Sequence, residues 1–133
     1  MAYQQRKIPF VGDTGSNPET KRVFEGADGG KLIVPKCNAC GRSHWYPRAI
    51  CPYCFSQDLA WNAASGHGTI YSLSVMKRAE VPYAIAYVTL DEGPTMMTNI
   101  VDCDLDSIRI GQKVKLAFVP SENGPKMPMF TPA

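Results

Sequence analysis

Histidine is almost missing from this chain: 133 residues carry only two, His44 and His67. Placed this far apart in the sequence, they assemble no Ser/His/Asp or Cys/His arrangement for nucleophilic catalysis. A phosphate-cradling loop is missing too, since Gly26-Ala-Asp-Gly29-Gly30 follows a helix signal instead of opening one. No apolar run approaches the roughly 18 residues needed to cross a bilayer. The opening Met1–Phe10 has no apolar h-region, so no secretory signal is expected. A cytoplasmic protein with no membrane partner is therefore expected. Charge of one sign is also scarce, with 14 Lys+Arg against 12 Asp+Glu and a formal net charge of +2. Dedicated nucleic-acid domains carry a stronger basic excess. Taken together, these shortages point away from a chain that catalyses a reaction by itself.

Punctuation residues and cysteine, by contrast, are plentiful. Glycine and proline number 11 each, which leaves little room for long helices because both weaken a helix interior. Hydrophobic residues at 44% and charged residues at 20% describe a globular protein of one ordinary or two very small domains. Five cysteines in a reducing compartment do not suggest a disulfide scaffold.

Along the chain, residues 1–16 have no period and read as an extended arm. Asn17-Pro18-Glu19 is a helix start, with Asn17 as cap, Pro18 in the first turn and Glu19 at the positive dipole end. Val23, Phe24 and Ala27 form its apolar face, and Gly29-Gly30 ends it. From Gly66 the pattern is that of strands. Tyr71, Leu73 and Val75 alternate with serines, and Ala84 to Leu90 is apolar on both parities. Asp91-Glu92-Gly93-Pro94 is a turn, and Thr95 to Val101 its hairpin partner. Val114, Leu116 and Phe118 alternate with Lys113, Lys115 and Ala117. Met127-Pro128-Met129-Phe130 makes a last strand that Pro128 confines to an edge. Five strands without a long helix predict a small barrel, the five-stranded OB-fold being the usual solution. The reading is thus mainly β: arm 1–16, helix plus ribbon 17–62, and barrel 63–133.

Cys37-Asn-Ala-Cys40-Gly41 and Cys51-Pro-Tyr-Cys54, ten residues apart, are the strongest signal. Each Cys-x-x-Cys is a tight turn whose sulfurs converge, and two such turns supply a tetrahedral tetrathiolate. Zinc is favoured over rubredoxin-type iron because nothing nearby suggests an electron-transfer partner. Four protein ligands leave no open position, so the role is folding: a ribbon of some 25 residues has almost no core and is expected to unfold without metal. His44 lies in the ribbon loop but is not needed as a ligand. His67 reads as a surface residue between glycines, and Cys103, flanked by Asp102 and Asp104, as a spectator thiol. Trp45, Tyr46, Tyr53, Phe55 and Trp61 crowd the metal site with Lys36, Arg42 and Arg48. They read best as cover for a coreless ribbon and a bridge to the barrel.

The combined string from Gly30-Lys-Leu-Ile-Val-Pro-Lys-Cys37 through Pro47-Arg48, Cys51-Pro52-x-Cys54, Trp61, Ser65-Gly66-x-Gly68-Thr69-Ile70-Tyr71-Ser72, Leu90-Asp91-Glu92-Gly93-Pro94 and Ile108-Arg109-Ile110-Gly111 resembles the zinc-ribbon/OB-fold accessory proteins of acyl-CoA metabolism. The resemblance runs from about residue 17 to the C-terminus. It implies an N-terminal helix, a rubredoxin-like ribbon and an OB barrel, in a non-catalytic subunit that pairs with a thiolase-fold enzyme in a hetero-oligomer, a heterotetramer being expected. Such a subunit docks the enzyme and helps hold the CoA thioester. Partners in the family act on β-ketoacyl-CoAs, including aromatic ones, or cleave steroid acyl-CoAs as aldolases. Carried over, Cys37, Cys40, Cys51 and Cys54 match the metal ligands, and Arg48 is a candidate CoA phosphate contact. The segment Lys77–Tyr83 is shorter here than is common in the family, and Lys77 and Arg78 stand in for the longer loop as phosphate contacts. The alternative reading is a single-stranded nucleic-acid binder, which the small net charge counts against. The apolar arm residues Ile8, Phe10 and Val11, with no core of their own to enter, are expected to drape over the partner.

Overall fold

The computed structural model describes residues 1–10, 12 and 17–133. Its element order is α1 (Pro18–Asp28), β1 (Ile33–Cys37), β2 (Leu59–Ala63), β3 (His67–Met76), β4 (Tyr83–Leu90), β5 (Thr95–Ile100), β6 (Lys113–Pro120) and β7 (Lys126–Pro132). Strands β3 to β7 close a barrel in the order β3-β4-β5-β7-β6, while β1 and β2 form a separate antiparallel pair. This is the mainly β architecture of helix, ribbon and five-stranded barrel that the residue pattern predicts.

The helix begins where a proline costs no hydrogen bond: Asn17 Oδ1 accepts from the Glu19 backbone N–H at 3.2 Å, and Pro18 occupies the first turn. Thr20, Val23 and Ala27 are its buried face. Gly29 stays at φ −86°, and Gly30, at φ +79°, makes the left-handed stop. Asp28 Oδ1 then accepts from the Lys126 N–H at 3.1 Å, joining the helix end to the start of β7.

Period-2 burial builds the barrel. In β4 the side chains of Ala84, Ala86, Val88 and Leu90 point inward, and in β5 those of Met96, Thr98 and Ile100 do so. Tyr71 is an extra residue between Ile70↔Val88 and Ser72↔Tyr87, a bulge that leaves its ring 69% exposed. Gly68 sits where β3 pairs with both β4 and β6. A Cβ there would meet Val88 Cγ1 at 2.6 Å and the Thr89 carbonyl oxygen at 2.8 Å, so only glycine fits. Closure at the β5–β7 seam rests on one parallel pair, Ile100↔Phe130. Lower down, Thr98 Oγ1 donates to the Pro128 carbonyl at 3.3 Å. Pro128 is paired with Phe118 in β6 and so stands within the barrel order, but its other side faces the thinly paired β5–β7 seam, which acts as an edge there. Its missing N–H is tolerated because the seam has no ladder beside it.

Ribbon and barrel share one core. Leu32 and Val34, just before and within β1, belong to the same buried cluster as Ile70, Val88, Ile100, Val114 and Phe130, and Trp45 packs against it.

The arm packs along its own chain. Leu105 N–H donates to the Met1 carbonyl and Glu122 N–H to the Ile8 carbonyl, each at 2.9 Å. The Phe10 ring meets Phe24 edge-on at 5.2 Å. Tyr3 and Ile8 pack against a second apolar cluster of Val101, Val119 and Met129. Ile8 and Phe10 thus find apolar neighbours on their own chain, which corrects the premise that they have no core of their own to enter; Val11 lies outside the described residues. The surface left uncovered by the barrel wall decides this, and it is not visible in the arm's own sequence.

Candidate metal centre and its surroundings

The two cysteine turns are built alike. In the first, Gly41 N–H donates to the Cys37 carbonyl and Cys37 N–H to the Arg42 carbonyl, both at 2.9 Å. In the second, Phe55 N–H donates to the Cys51 carbonyl and Cys51 N–H to the Ser56 carbonyl, again at 2.9 Å. The sulfurs also accept from the backbone: Cys40 N–H to Cys37 Sγ and Tyr53 N–H to Cys51 Sγ, at 3.4 Å each. Such donors offset thiolate charge, which is why a Cys-x-x-Cys turn suits a metal.

The four sulfurs of Cys37, Cys40, Cys51 and Cys54 lie within 4.8 Å of one another. Two of the pairs are at 3.5 and 3.7 Å. A Zn–S bond of about 2.3 Å places the sulfurs of a tetrahedron about 3.8 Å apart, so the donor set fits one ion and is too wide for disulfides. Cys37 and Cys51 are buried while Cys40 and Cys54 are exposed. The Cys40 N–H brings the Cys37 thiol down to about 7. At Cys51 burial pushes up, but the Cys54 and Tyr53 N–H groups outweigh it and the thiol is lowered. At Cys54 the Ser56 N–H pulls down, yet the Cys37 sulfur, burial and the other two sulfurs carry it up to about 12. Four thiols packed this closely do not all ionise by themselves; a divalent cation makes that possible.

The base of the ribbon holds His44, 1% exposed, whose backbone N–H donates to the Pro35 carbonyl at 3.1 Å. Neither ring nitrogen has a hydrogen-bond partner among the described residues. Desolvation lowers its pKa, against the nearby Arg48 carbonyl, which favours the proton without reaching hydrogen-bond geometry. His44 is outside the sulfur cluster. His67 is exposed on β3. Burial, then Asp104 and Asp102, push the Cys103 thiol up, so it stays protonated at neutral pH.

The proposed phosphate contacts are dispersed. Arg48 is exposed in the stretch between the two turns, and Lys77 and Arg78 lie in the β3–β4 turn. Lys77 Nζ is 3.8 Å from Asp106 Oδ1, an exposed pair of small energetic weight. Arg48 and Arg78 make no ion pair among the described residues. Among the described residues, no ion pair links Arg48 to Lys77 or Arg78.

Of the aromatics around the metal, Trp45 does bridge ribbon and barrel. Trp61 is half-buried, but three others correct the expectation of a covering layer: Phe55 is 77% exposed, Tyr46 48% and Tyr53 45%. Arg42 stacks on Tyr53 at 3.5 Å. The feature that the spacing concealed is Phe55 itself, which holds φ +65° where the first turn has Gly41 at φ +78°. A signal was available, since the residue after the second cysteine of each turn must be left-handed.

Comparison with known proteins bears on both halves. Residues 24–60 match the family model described as ChsH2, rubredoxin-like zinc ribbon domain. Residues 61–119 match that described as ChsH2, C-terminal OB-fold domain. A DUF35 domain-containing scaffold protein of Methanothermobacter thermautotrophicus is 40% identical over 94 residues, 65% of this chain and 71% of that protein. A probable enoyl-CoA hydratase alpha subunit of Thermomonospora curvata is 35% identical over 115 residues, 83% of this chain but only 36% of the relative's length. Among solved structures, one chain of the "Ltp2-ChsH2(DUF35) aldolase" superposes with a TM-score of 0.76 at 33% identity, covering 87% of this chain and 95% of that one.

Proposed function

The chain belongs to the DUF35 family of ChsH2-like zinc-ribbon and OB-fold proteins, and from that membership we propose that it is a non-catalytic accessory subunit of a thiolase-type acyl-CoA enzyme. The observation that carries this reading is the likeness to the chain in the aldolase complex, which extends over 95% of that chain at 33% identity. The names of the relatives, scaffold proteins and a hydratase alpha subunit, fit an assembly role in CoA chemistry. Chemistry on the partner is consistent with a Cys103 thiol that stays protonated and a His44 sealed from solvent.

In this reading Cys37, Cys40, Cys51 and Cys54 hold one zinc ion that fixes the ribbon and supplies no reaction step. The barrel and ribbon offer a rigid shape to the thiolase-fold partner, with a heterotetramer as the expected assembly. Arg48 neutralises a CoA phosphate, and Lys77 and Arg78 add positive charge at the β3–β4 turn. The acyl group is a β-keto or steroid side-chain thioester, and the nucleophile and bases are the partner's.

The test is a mild-salt affinity capture of the tagged chain from its native extract, read by mass spectrometry, metal analysis and a nucleic-acid stain. A near-stoichiometric thiolase-fold protein and one zinc per chain are expected, with acyl-CoA turnover only when both proteins are present. Full activity of the partner alone would overturn the reading, as would recovery of nucleic acid without such a protein. A red protein would replace zinc by iron.

A further inference from the structure

A cavity of about 220 Å³ opens between the first turn of α1 and the outer end of β2, outside the sulfur cluster. Arg22, Trp61, Gln57, Glu19 and Ala49 are among its walls. Among the described residues three arginines stand over aromatic rings, and they do not stand alike. Arg6 is 3.8 Å from the Tyr83 centroid and Arg42 is 3.5 Å from that of Tyr53, both in contact. Arg22 stands 5.0 Å from the Trp61 centroid, over the cavity. The Arg22–Trp61 pair is thus the longest of the three cation–π contacts, and separating its two groups by about 2 Å opens a slot that admits a planar ring between them, since stacked rings need roughly 7 Å between the outer planes.

We infer that this slot takes the adenine ring of a nucleotide and, resting on the accessory-subunit reading above, that the nucleotide is the adenosine 3′,5′-bisphosphate end of the acyl-CoA. Trp61 supplies the stacking face, and Arg22 closes the other side. A side-chain amide matches the N6 amino and N7 edge of adenine with two hydrogen bonds, and Gln57 is the amide in this wall. Glu19 accepts from the exocyclic amine or a ribose hydroxyl, and its charge turns the phosphates away from the helix. They leave toward Arg48, exposed and one residue from Ala49 in the wall. Arg48 thereby acquires a ligand that its neighbours in the chain do not provide, whereas Lys77 and Arg78 belong to a different turn.

The experiment uses the zinc-loaded full chain and follows tryptophan fluorescence during titration with adenosine 3′,5′-bisphosphate, AMP, inosine monophosphate and pantetheine. Saturable quenching by the bisphosphate is expected, with about tenfold weaker binding in Gln57→Leu and loss of the quench in Trp61→Leu. Inosine monophosphate should bind less well than AMP, and Arg48→Ala should weaken the bisphosphate more than AMP. Pantetheine should leave the fluorescence unchanged. Absence of bisphosphate binding, or equal binding to wild type and Gln57→Leu, would overturn the inference. AMP binding as tightly as the bisphosphate would overturn the assignment to CoA. Gln57 is exposed, so its variant folds in any case. Partner capture by Gln57→Leu is measured alongside: a variant that still captures the enzyme but shows wild-type nucleotide binding defeats the slot and leaves the accessory role standing. Failure of wild type to capture any enzyme defeats the role, whatever the nucleotide does.

Discussion

Phe55 occupies in the second cysteine turn the place Gly41 has in the first, and it accepts a left-handed backbone to do so. For an L-residue that conformation costs roughly 1–2 kcal/mol, and the exposed ring recovers little of it within the chain. Phe55→Gly should therefore stabilise the zinc-loaded chain by about 1 kcal/mol, read as a higher denaturation midpoint. An unchanged or lower midpoint would mean the ring contributes packing that its exposure hides. The sulfurs make a second prediction. Cys37 is lowered to about 7 and Cys54 raised to about 12, and the metal takes only thiolates. As pH falls, protons compete with the ion for each sulfur, so affinity drops about tenfold per displaced proton for every pH unit. Between pH 8 and 6 a chelator competition should register a slope above one proton, steepening below 7 where Cys37 joins. A flat response would mean the ion is not bound by these thiols.

At the level of elements, the barrel leaves no room for a side chain where three strands meet at Gly68. Gly68→Ala pushes a methyl into Val88 and the Thr89 carbonyl, and overpacking of this kind costs about 1–3 kcal/mol. The thermal midpoint should fall by several degrees, without change in metal content. The arm makes a complementary case. It crosses the barrel from the loop after β5 to the turn before β7 and covers Val101, Val119 and Met129 with Tyr3 and Ile8. Removing residues 1–10 exposes that cluster and should cost on the order of 2 kcal/mol, by the area rule for two half-buried side chains. The truncated chain should still capture its partner; loss of capture with unchanged stability would restore the arm to the interface.

Taken whole, the molecule joins a metal-dependent piece to a metal-independent one through a common core. Leu32 and Val34 are packed with barrel residues and Trp45 reaches the same core from between the turns, while the two cysteine turns themselves, 37–41 and 51–56, contribute no residue to that core and are tied by their sulfurs and backbone bonds. Removal of metal should release amide protection across residues 37–57 and leave β3 to β7 protected, read by hydrogen exchange. Global unfolding on chelation would mean that the core does not outlast the ribbon. Because Leu32 and Val34 lie in the barrel core, release is expected at the tip of the ribbon and not along its whole length.

How much of the fold and of the metal centre is legible in the residue order follows from the range of each signal. The helix start at Asn17-Pro18, the Cys-x-x-Cys pairs and the alternation in β4 and β5 are local: capping, turn geometry and pleat act over two to four residues and leave their mark in the text. The β1–β2 pair is not legible, because Pro35 and Asn62 disguise strands whose pairing is made across the whole metal loop. Nor is the arm's resting place, the exposure of Phe55 or the stand-off between Arg22 and Trp61. Each depends on which surfaces the closed barrel leaves uncovered and how far apart two distant segments come to rest. Residue order alone determined that four cysteine sulfurs would converge at the spacing of a metal site and that the chain would close a small barrel. Only tertiary packing decided that ribbon and barrel share a core, that the arm packs on its own barrel, and that Arg22 and Trp61 line one cavity, because burial is settled by contacts between residues far apart in the sequence.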